Sequence, residues 1–201
     1  QRRAVIKIIL TSGSGGRGYA RPDPVRPSRI VMRYPWPDYP ADHWRRGVRV
    51  HHCRTTLACH PDLAAVKHLN RLEQVLARQE WQGGDSAEGL MRERAGNVIE
   101  GTMSNLFLVQ NGVLHTPDLK DCGVHGIARR RILALATEAG IETAMGDYTP
   151  ADLLAADELM LSNSLIGLWP VREYLNQPFG PGPVYRRLLA ELLRNYPVIN
   201  A

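Results

Sequence analysis

The chain has 201 residues, a length between one large domain and two small ones, and its 44% hydrophobic and 22% charged residues give the balance of a globular protein with apolar mass for a core. No apolar run approaches the roughly 20 residues that span a bilayer, so a membrane protein is not expected. A formal net charge of +5 is mostly arginine, with Lys7, Lys67 and Lys120 the only lysines among 25 basic residues; the arginines are scattered apart from Arg45-Arg46 and Arg129-Arg130-Arg131, which speaks against nucleic acid and for anionic small molecules held by bidentate guanidinium groups.

In chain order, the run from Ala4 to Leu10 is rich in β-branched residues and predicts a buried strand. It is too short for a signal-peptide core followed by a cleavage site, and without an initiator Met the sequence reads as one missing its natural beginning. Thr11 to Gly18 is a glycine-rich turn, and Arg21-Pro22-Asp23-Pro24 breaks any helix. Strands are predicted at Ile30-Val31-Met32 and from Gly47 to Cys53, on either side of the Pro/Trp/Tyr-rich loop from Tyr34 to Tyr39. Leu69, Leu72, Val75 and Leu76 recur at helical spacing through Gln79, with Asn70 and Glu73 as a capping box, so Lys67 falls just before a helix.

Short strands follow at Leu90-Met91-Arg92, Asn105 to Val109 and Val113-Leu114-His115, the last two joined by an Asn111-Gly112 hairpin turn. A helix from Gly126 to Ala139 is stopped by Gly140, and Thr149-Pro150-Ala151-Asp152 opens another with a cap, a first-position proline and an acidic first turn. Glu158 to Ser162 predicts a strand and Val184 to Arg194 a closing amphipathic helix. Strand runs mixed with helices predict an α+β fold rather than a regular parallel sheet.

Cys53, Cys59 and Cys122 are odd in number and form no C-x-x-C pair, which fits a reduced, cytoplasmic chain. His51-His52-Cys53 and Cys59-His60 carry metal-ligand residue types, but strand alternation sends His51 and His52 to opposite faces, so no metal is expected.

Three segments stand out for chemistry. Lys67 follows Leu63-Ala64-Ala65-Val66; a desolvated amine there would be a nucleophile toward a carbonyl, whereas a snorkelling lysine would only cover apolar surface, and composition favours the second. Glu100, between Val98-Ile99 and Gly101-Thr102, is either an acid at a strand end pointing into a cleft or a loop carboxylate accepting backbone hydrogen bonds. Gly123-Val124-His125-Gly126-Ile127-Ala128-Arg129 sets a glycine-flanked turn before a helix, where free amides and the helix dipole hold phosphates.

The segments Lys67-His68-Leu69-Asn70-Arg71-Leu72-Glu73, Asn97-Val98-Ile99-Glu100-Gly101-Thr102-Met103-Ser104-Asn105-Leu106-Phe107 and Gly123 to Arg129 occur in an order that resembles the fold type IV pyridoxal-phosphate enzymes, which include branched-chain and D-amino-acid aminotransferases. With Gly13-Ser14-Gly15-Gly16-Arg17-Gly18-Tyr19 added, the chain looks most like the lyase branch of that family, over Val5 to about Val171. The resemblance implies an α+β fold: a large C-terminal cofactor-binding domain over 41–201, with barrel-like sheets and flanking helices. Residues 1–40 would be the last strands of a small N-terminal domain and its linker. It implies pyridoxal 5′-phosphate as cofactor and a homodimer.

Lys67 would carry the cofactor as a Schiff base and move the proton at the substrate carbon, and Glu100 would keep the pyridine nitrogen protonated. The amides of Ile127 and Ala128 after Gly126 would bind the phosphate with Asn163 or Ser164, Val124 would pack on the ring, and Arg17 and Tyr19 would face the substrate. The implied reaction takes 4-amino-4-deoxychorismate to 4-aminobenzoate and pyruvate for folate synthesis. Alternatives are a branched-chain or D-amino-acid transaminase on the same scaffold, and a non-catalytic anion-binding fragment. Two departures stand out: relatives often have Thr where Ala128 stands, and a phosphate-binding Arg and a hydroxyl residue would belong to the absent part of the small domain.

Overall fold

The computed structural model describes residues 3–82 and 84–195. They fall into two units, one ending at Tyr39 and one beginning at Pro40.

The first unit is an antiparallel hairpin of β1 (Ala4–Thr11) and β2 (Ser28–Pro35), paired in unbroken register from Ala4↔Pro35 to Thr11↔Ser28. The predicted strand is there, but it is not buried: Ile6, Ile8 and Leu10 are exposed. Two strands satisfy each other's backbone yet supply no second layer to cover either face, so β-branched residues form the ladder without forming a core.

The second unit is built on a mixed sheet. Its elements begin with α1 (Asp42–Arg45), β3 (Val48–Leu57), α2 (Leu72–Arg78) and a 3₁₀ turn at Gln79–Trp81. There follow β4 (Ser86–Glu93), β5 (Val98–Gly101), β6 (Asn105–Gln110), β7 (Val113–Pro117), α3 (Ile127–Glu138) and β8 (Thr143–Gly146). The unit ends with α4 (Pro150–Leu154), β9 (Glu158–Asn163), β10 (Gly167–Tyr174), β11 (Gln177–Pro178) and α5 (Pro183–Asn195).

Strands β10, β3, β4, β5 and β6 are neighbours in that order, and β9 pairs with both β6 and β10, so six strands close on themselves. β3 runs parallel to β4 and β10, while the β4–β5, β5–β6, β6–β9 and β9–β10 pairs are antiparallel. β7 and β8 continue from β6 as an extension, which makes the fold α+β with a barrel-like mixed sheet.

Two apolar clusters hold the unit. Phe107, Leu114 and Met160 of the sheet pack with Ile132 and Leu135 of α3 and with Tyr185, Leu188 and Leu192 of α5. On the other side Cys53, Met91, Ile99 and Cys122 pack with Ala77 and Trp81 at the end of α2. No helix among the described residues is long and apolar enough to cross a membrane.

Several local expectations come out as read. Asn111 and Gly112 take φ of 52° and 80°, the turn that a tight hairpin needs, and Gly140 ends α3 at φ 66°. Thr149 and Asp152 form a reciprocal capping box at α4. The one at Asn70/Glu73 does not form: α2 begins at Leu72 without a side-chain cap, and Glu73 accepts the Ala58 amide at 3.0 Å instead. A carboxylate that can close a strand-to-helix connection is diverted from local capping.

Candidate cofactor site

Glu100 is placed by β5. Val98 and Ile99 are buried, and Glu100 after them is buried too, at 4% exposure. Glu100 meets β6 at a single pair, Glu100↔Asn105, where the strand order turns from β5 to β6. Its Oε2 accepts the Val124 amide at 2.9 Å and Asn105 Nδ2 at 3.3 Å. Asn105 Nδ2 also donates to the Val124 carbonyl at 2.8 Å, so the peptide units around Val124 are gripped from both sides. Burial pushes the Glu100 carboxyl up to about 7; the Val124 amide and the positive charges of Arg71 and Lys67 pull against that push, and the neighbouring Glu88 adds to it.

The backbone at residues 123–126 can lie this close only because of its glycines. Gly123 has φ 89°, and a Cβ there would meet Leu119 and Ile99 below 3.0 Å. A Cβ on Gly126 would sit 2.0 Å from Asn105 Oδ1.

Val124 bridges in parallel to Ala65, with Ala65 N donating to Gly123 O at 3.0 Å and His125 N to Ala65 O at 3.1 Å. This short ladder brings the Lys67 segment alongside the Glu100 clamp. Ala65 has φ 69°, a left-handed conformation that costs an alanine about 1 kcal/mol and needs its surroundings to hold it. Lys67 follows two residues later, exposed and in irregular backbone. Arg71 braces it: Nε donates to His68 O at 3.0 Å and Nη2 to Val66 O at 3.2 Å, the carbonyls on either side of the lysine.

The predicted helix after Gly126 is α3. Gly126 is its N-cap in extended conformation, no side chain caps it, and its first turn holds no acidic residue, which leaves an uncapped positive dipole end. Arg129, buried in that first turn, adds a cation held by Thr116 Oγ1 at 3.1 Å and Pro117 O at 3.0 Å. Strand pairing puts Ser162 opposite Asn105, so Asn163, the last residue of β9, and Ser164 after it follow beside the same place. Asn163 is already committed, Nδ2 to Met103 O at 3.0 Å and Oδ1 to the amides of Leu165 and Ile166 at 2.8 and 3.0 Å; Ser164 is exposed.

Lys67, Glu100, Val124, Gly126, Ile127, Ala128 and Ser164 therefore lie on segments that converge on Asn105. Arg17 and Tyr19 belong to the first unit, exposed in the connection between β1 and β2. His51 and His52 do diverge: His51 Nε2 lies 3.3 Å from Glu80 Oε2, and His52 Nδ1 lies 2.6 Å from the Tyr174 hydroxyl. Sequence reasoning passed over Asn105 and Arg71 as site residues, although both stand inside the quoted motifs; nothing in their local pattern marks an amide or a guanidinium as a brace. It also passed over Glu88, which is buried and accepts from the Met103 amide at 3.2 Å and from Ser104 Oγ at 2.8 Å, holding the turn after Glu100.

The set fits a phosphorylated, nitrogen-containing aldehyde cofactor. It offers an amine, a buried acid with raised proton affinity, and an uncapped helix N-terminus reinforced by a buried arginine.

Comparison with known proteins gives the same direction. Residues 1–174 match the family model for amino-transferase class IV. An aminodeoxychorismate lyase from Vibrio harveyi is 39% identical over 168 residues, covering 84% of this chain and 62% of the relative. The crystal structure of 4-amino-4-deoxychorismate lyase from Pseudomonas aeruginosa superposes with a TM-score of 0.91 at 45% identity, covering 95% of this chain and 71% of that one. A branched-chain amino acid aminotransferase from T.th., solved with pyridoxamine 5′-phosphate, has a TM-score of 0.80 at 25% identity, covering 95% of this chain and 64% of that one. The chain belongs to the class IV aminotransferase family, and it spans about three fifths of the length of the Vibrio relative.

Proposed function

We propose that this member of the class IV family is part of a pyridoxal-phosphate-dependent lyase that converts 4-amino-4-deoxychorismate to 4-aminobenzoate and pyruvate, a step of folate synthesis in the cytoplasm. One observation carries the cofactor reading: a buried carboxyl at about 7 shares a hydrogen-bonded frame with the Lys67 segment and with the uncapped start of α3. The lyases named above, at 39% and 45% identity, support the lyase over the aminotransferase reading, for which a putative branched-chain-amino-acid aminotransferase from Methanocaldococcus jannaschii stands at 33%.

When bound, pyridoxal phosphate supplies an electron sink for the pair left at the substrate carbon. Lys67 would hold its aldehyde carbon, and its amine would be the base for the proton on the amine-bearing ring carbon. Glu100 holds a proton at the pyridine nitrogen; its burial strengthens that hydrogen bond and the Val124 amide keeps the carboxyl from rotating away. The amides of Ile127 and Ala128 would bind the phosphate through backbone alone, which tolerates the lack of a hydroxyl at Ala128, and Ser164 rather than the committed Asn163 would add a side-chain contact. Val124 would pack on the ring face, and the resemblance gives Arg17 and Tyr19, which belong to the other unit, to the substrate. A homodimer is supported by the exposed apolar residues Leu63, Val66, Leu69, Leu72, Val75 and Leu76 around the Lys67 segment and α2.

The test uses the full-length protein. Pyruvate release from 4-amino-4-deoxychorismate with no added keto acid is the expected result, and Lys67→Ala abolishes both it and the visible absorption of the bound cofactor. Amino-group transfer that strictly requires a keto acid replaces the lyase by the aminotransferase reading. An unchanged visible band in Lys67→Ala overturns the anchor.

A further inference from the structure

Cys59 and Cys122 face each other with Sγ atoms 3.4 Å apart, although 63 residues separate them. Cys59 is exposed, two residues past the end of β3; Cys122 is buried, immediately before Gly123. The backbone already holds the two segments in register. His60 N donates to Asp121 O at 2.8 Å on one side of the thiol pair, and the Ala65–Gly123 and Ala65–His125 hydrogen bonds continue the ladder on the other. The sulfurs need approach by only about 1.4 Å to reach a disulfide length, a change of side-chain rotamer rather than of fold. Cys53 is fully buried and takes no part.

We propose that Cys59 and Cys122 form a modification site for low-molecular-weight disulfides, which close it to an intramolecular Cys59–Cys122 bond. The thiolate of exposed Cys59 attacks one sulfur of the small disulfide, breaking its S–S bond and releasing one small thiolate. Cys122 then gives up its proton to solvent and attacks the Cys59 sulfur of the mixed disulfide, releasing the second small thiolate. The chain loses two protons and two electrons, and the small disulfide takes up the two electrons and, from solvent, two protons to become two thiols. Burial pushes the Cys122 thiol well up, so the second step is the slower one and the Cys59 adduct accumulates before the bond closes. The bond pins the ladder that joins the segment bearing Lys67 to the segment whose Val124 amide holds Glu100, and it does so whatever chemistry the site performs.

The experiment exposes the reduced protein to oxidised glutathione, quenches with an alkylating agent, and reads intact mass, a peptide map and melting temperature. Expected are a species lighter by two hydrogens, the Cys59 peptide joined to the Cys122 peptide, Cys53 alkylated only after denaturation, and a melting temperature higher by about 5–10 °C. Amide exchange at Ala65 and His125, two of the ladder donors, slows on oxidation. Cys122→Ala stops at the glutathione adduct on Cys59, and Cys59→Ser takes up no glutathione. A wild-type protein that stops at the Cys59 adduct, that cross-links only in denaturant, or whose melting temperature and ladder exchange do not change on oxidation overturns the proposal. Because these readouts need no cofactor and no turnover, they fail independently of the lyase reading.

Discussion

Helices α5 and α2 carry apolar residues at similar spacing and dispose of them in opposite ways. On α5, Tyr185, Leu188 and Leu192 are buried against the sheet and α3. On α2, Leu72 and Leu76 stay 64% and 48% exposed, and the residues that go under are Ala77 and, in the 3₁₀ turn, Trp81. The difference lies in how each helix is fastened. Glu158 of β9 accepts the amides of Val184 and Tyr185 at 2.9 and 2.8 Å, and the Tyr185 hydroxyl donates to Trp44 O at 2.7 Å, which turns the apolar stripe of α5 inward. The α2 region is tied instead through Glu73 to the Ala58 amide and through Glu80 to the amides of Arg54 and Thr55, each at 2.8 Å. Those carboxylate anchors set the rotation of α2 over β3 and leave its periodic stripe outward. Spacing reports that a helix has an apolar face; the polar anchors decide what that face meets.

The largest effect that would sharpen this contrast is at Leu188. Leu188→Ala empties a fully buried position between α5, α3 and the sheet, and should lower unfolding free energy by about 2–5 kcal/mol in urea denaturation. A loss under 1 kcal/mol would mean that α5 is not part of the core.

The second test concerns the buried acid on the α2 side. Glu100 sits at about 7 in the folded chain against an ordinary 4.5. A carboxyl raised on folding contributes stability that is fully present below pH 4.5 and lost as pH rises through 7. The cofactor-free protein should therefore lose about 3 kcal/mol of stability across that window from this group, and Glu100→Gln should flatten the slope. An identical slope in the variant would detach the acid from the pH dependence. On the same side, Glu80 behaves in the opposite sense: against the push of burial, its hydrogen bonds from Arg54, Thr55 and His51 hold its carboxyl at about 2, so its contribution is full above 4.5 and is lost as pH falls from there through about 2.

Much of the second unit was legible because its signals are local. Asn111-Gly112 needs left-handed backbone wherever it occurs, and Thr149 to Asp152 carries its own hydrogen-bond partners, so both were fixed within a few residues. Thr149→Ala should cost about 1 kcal/mol, seen as a shift in the thermal midpoint, since no distant group replaces that cap. What escaped depends on distant partners. The burial expected for β1 needed a covering layer that its own unit does not contain. The cap expected from Glu73 lost to an amide 15 residues away. At the site, Lys67, Glu100 and the glycine turn stood out by residue type, but Asn105 and Arg71 act by joining segments, and single-sequence spacing does not encode joints. The β10 strand was missed for a similar reason: Pro170 lies within it, and only its place between β3 and β9 shows it to be a sheet member.

The smallest thermodynamic effect is expected where the contrast began, at the outward stripe of α2. In Leu72→Gln/Leu76→Gln, two half-exposed leucines become amides that water can solvate, while Ala77, Trp81 and the Glu73 and Glu80 anchors stay in place. Surface substitutions of this kind fall within about 0.5 kcal/mol each for the isolated fold. If a second copy covers the stripe, the same change removes apolar area from an interface, and the dimer dissociates at concentrations where the wild type stays associated. Sedimentation across a dilution series, read beside urea unfolding of the dissociated chain, separates the two quantities. Weakened association with unchanged unfolding assigns the stripe to a partner chain. Unfolding weakened by several kcal/mol would return it to the core of its own unit and remove the difference between α2 and α5.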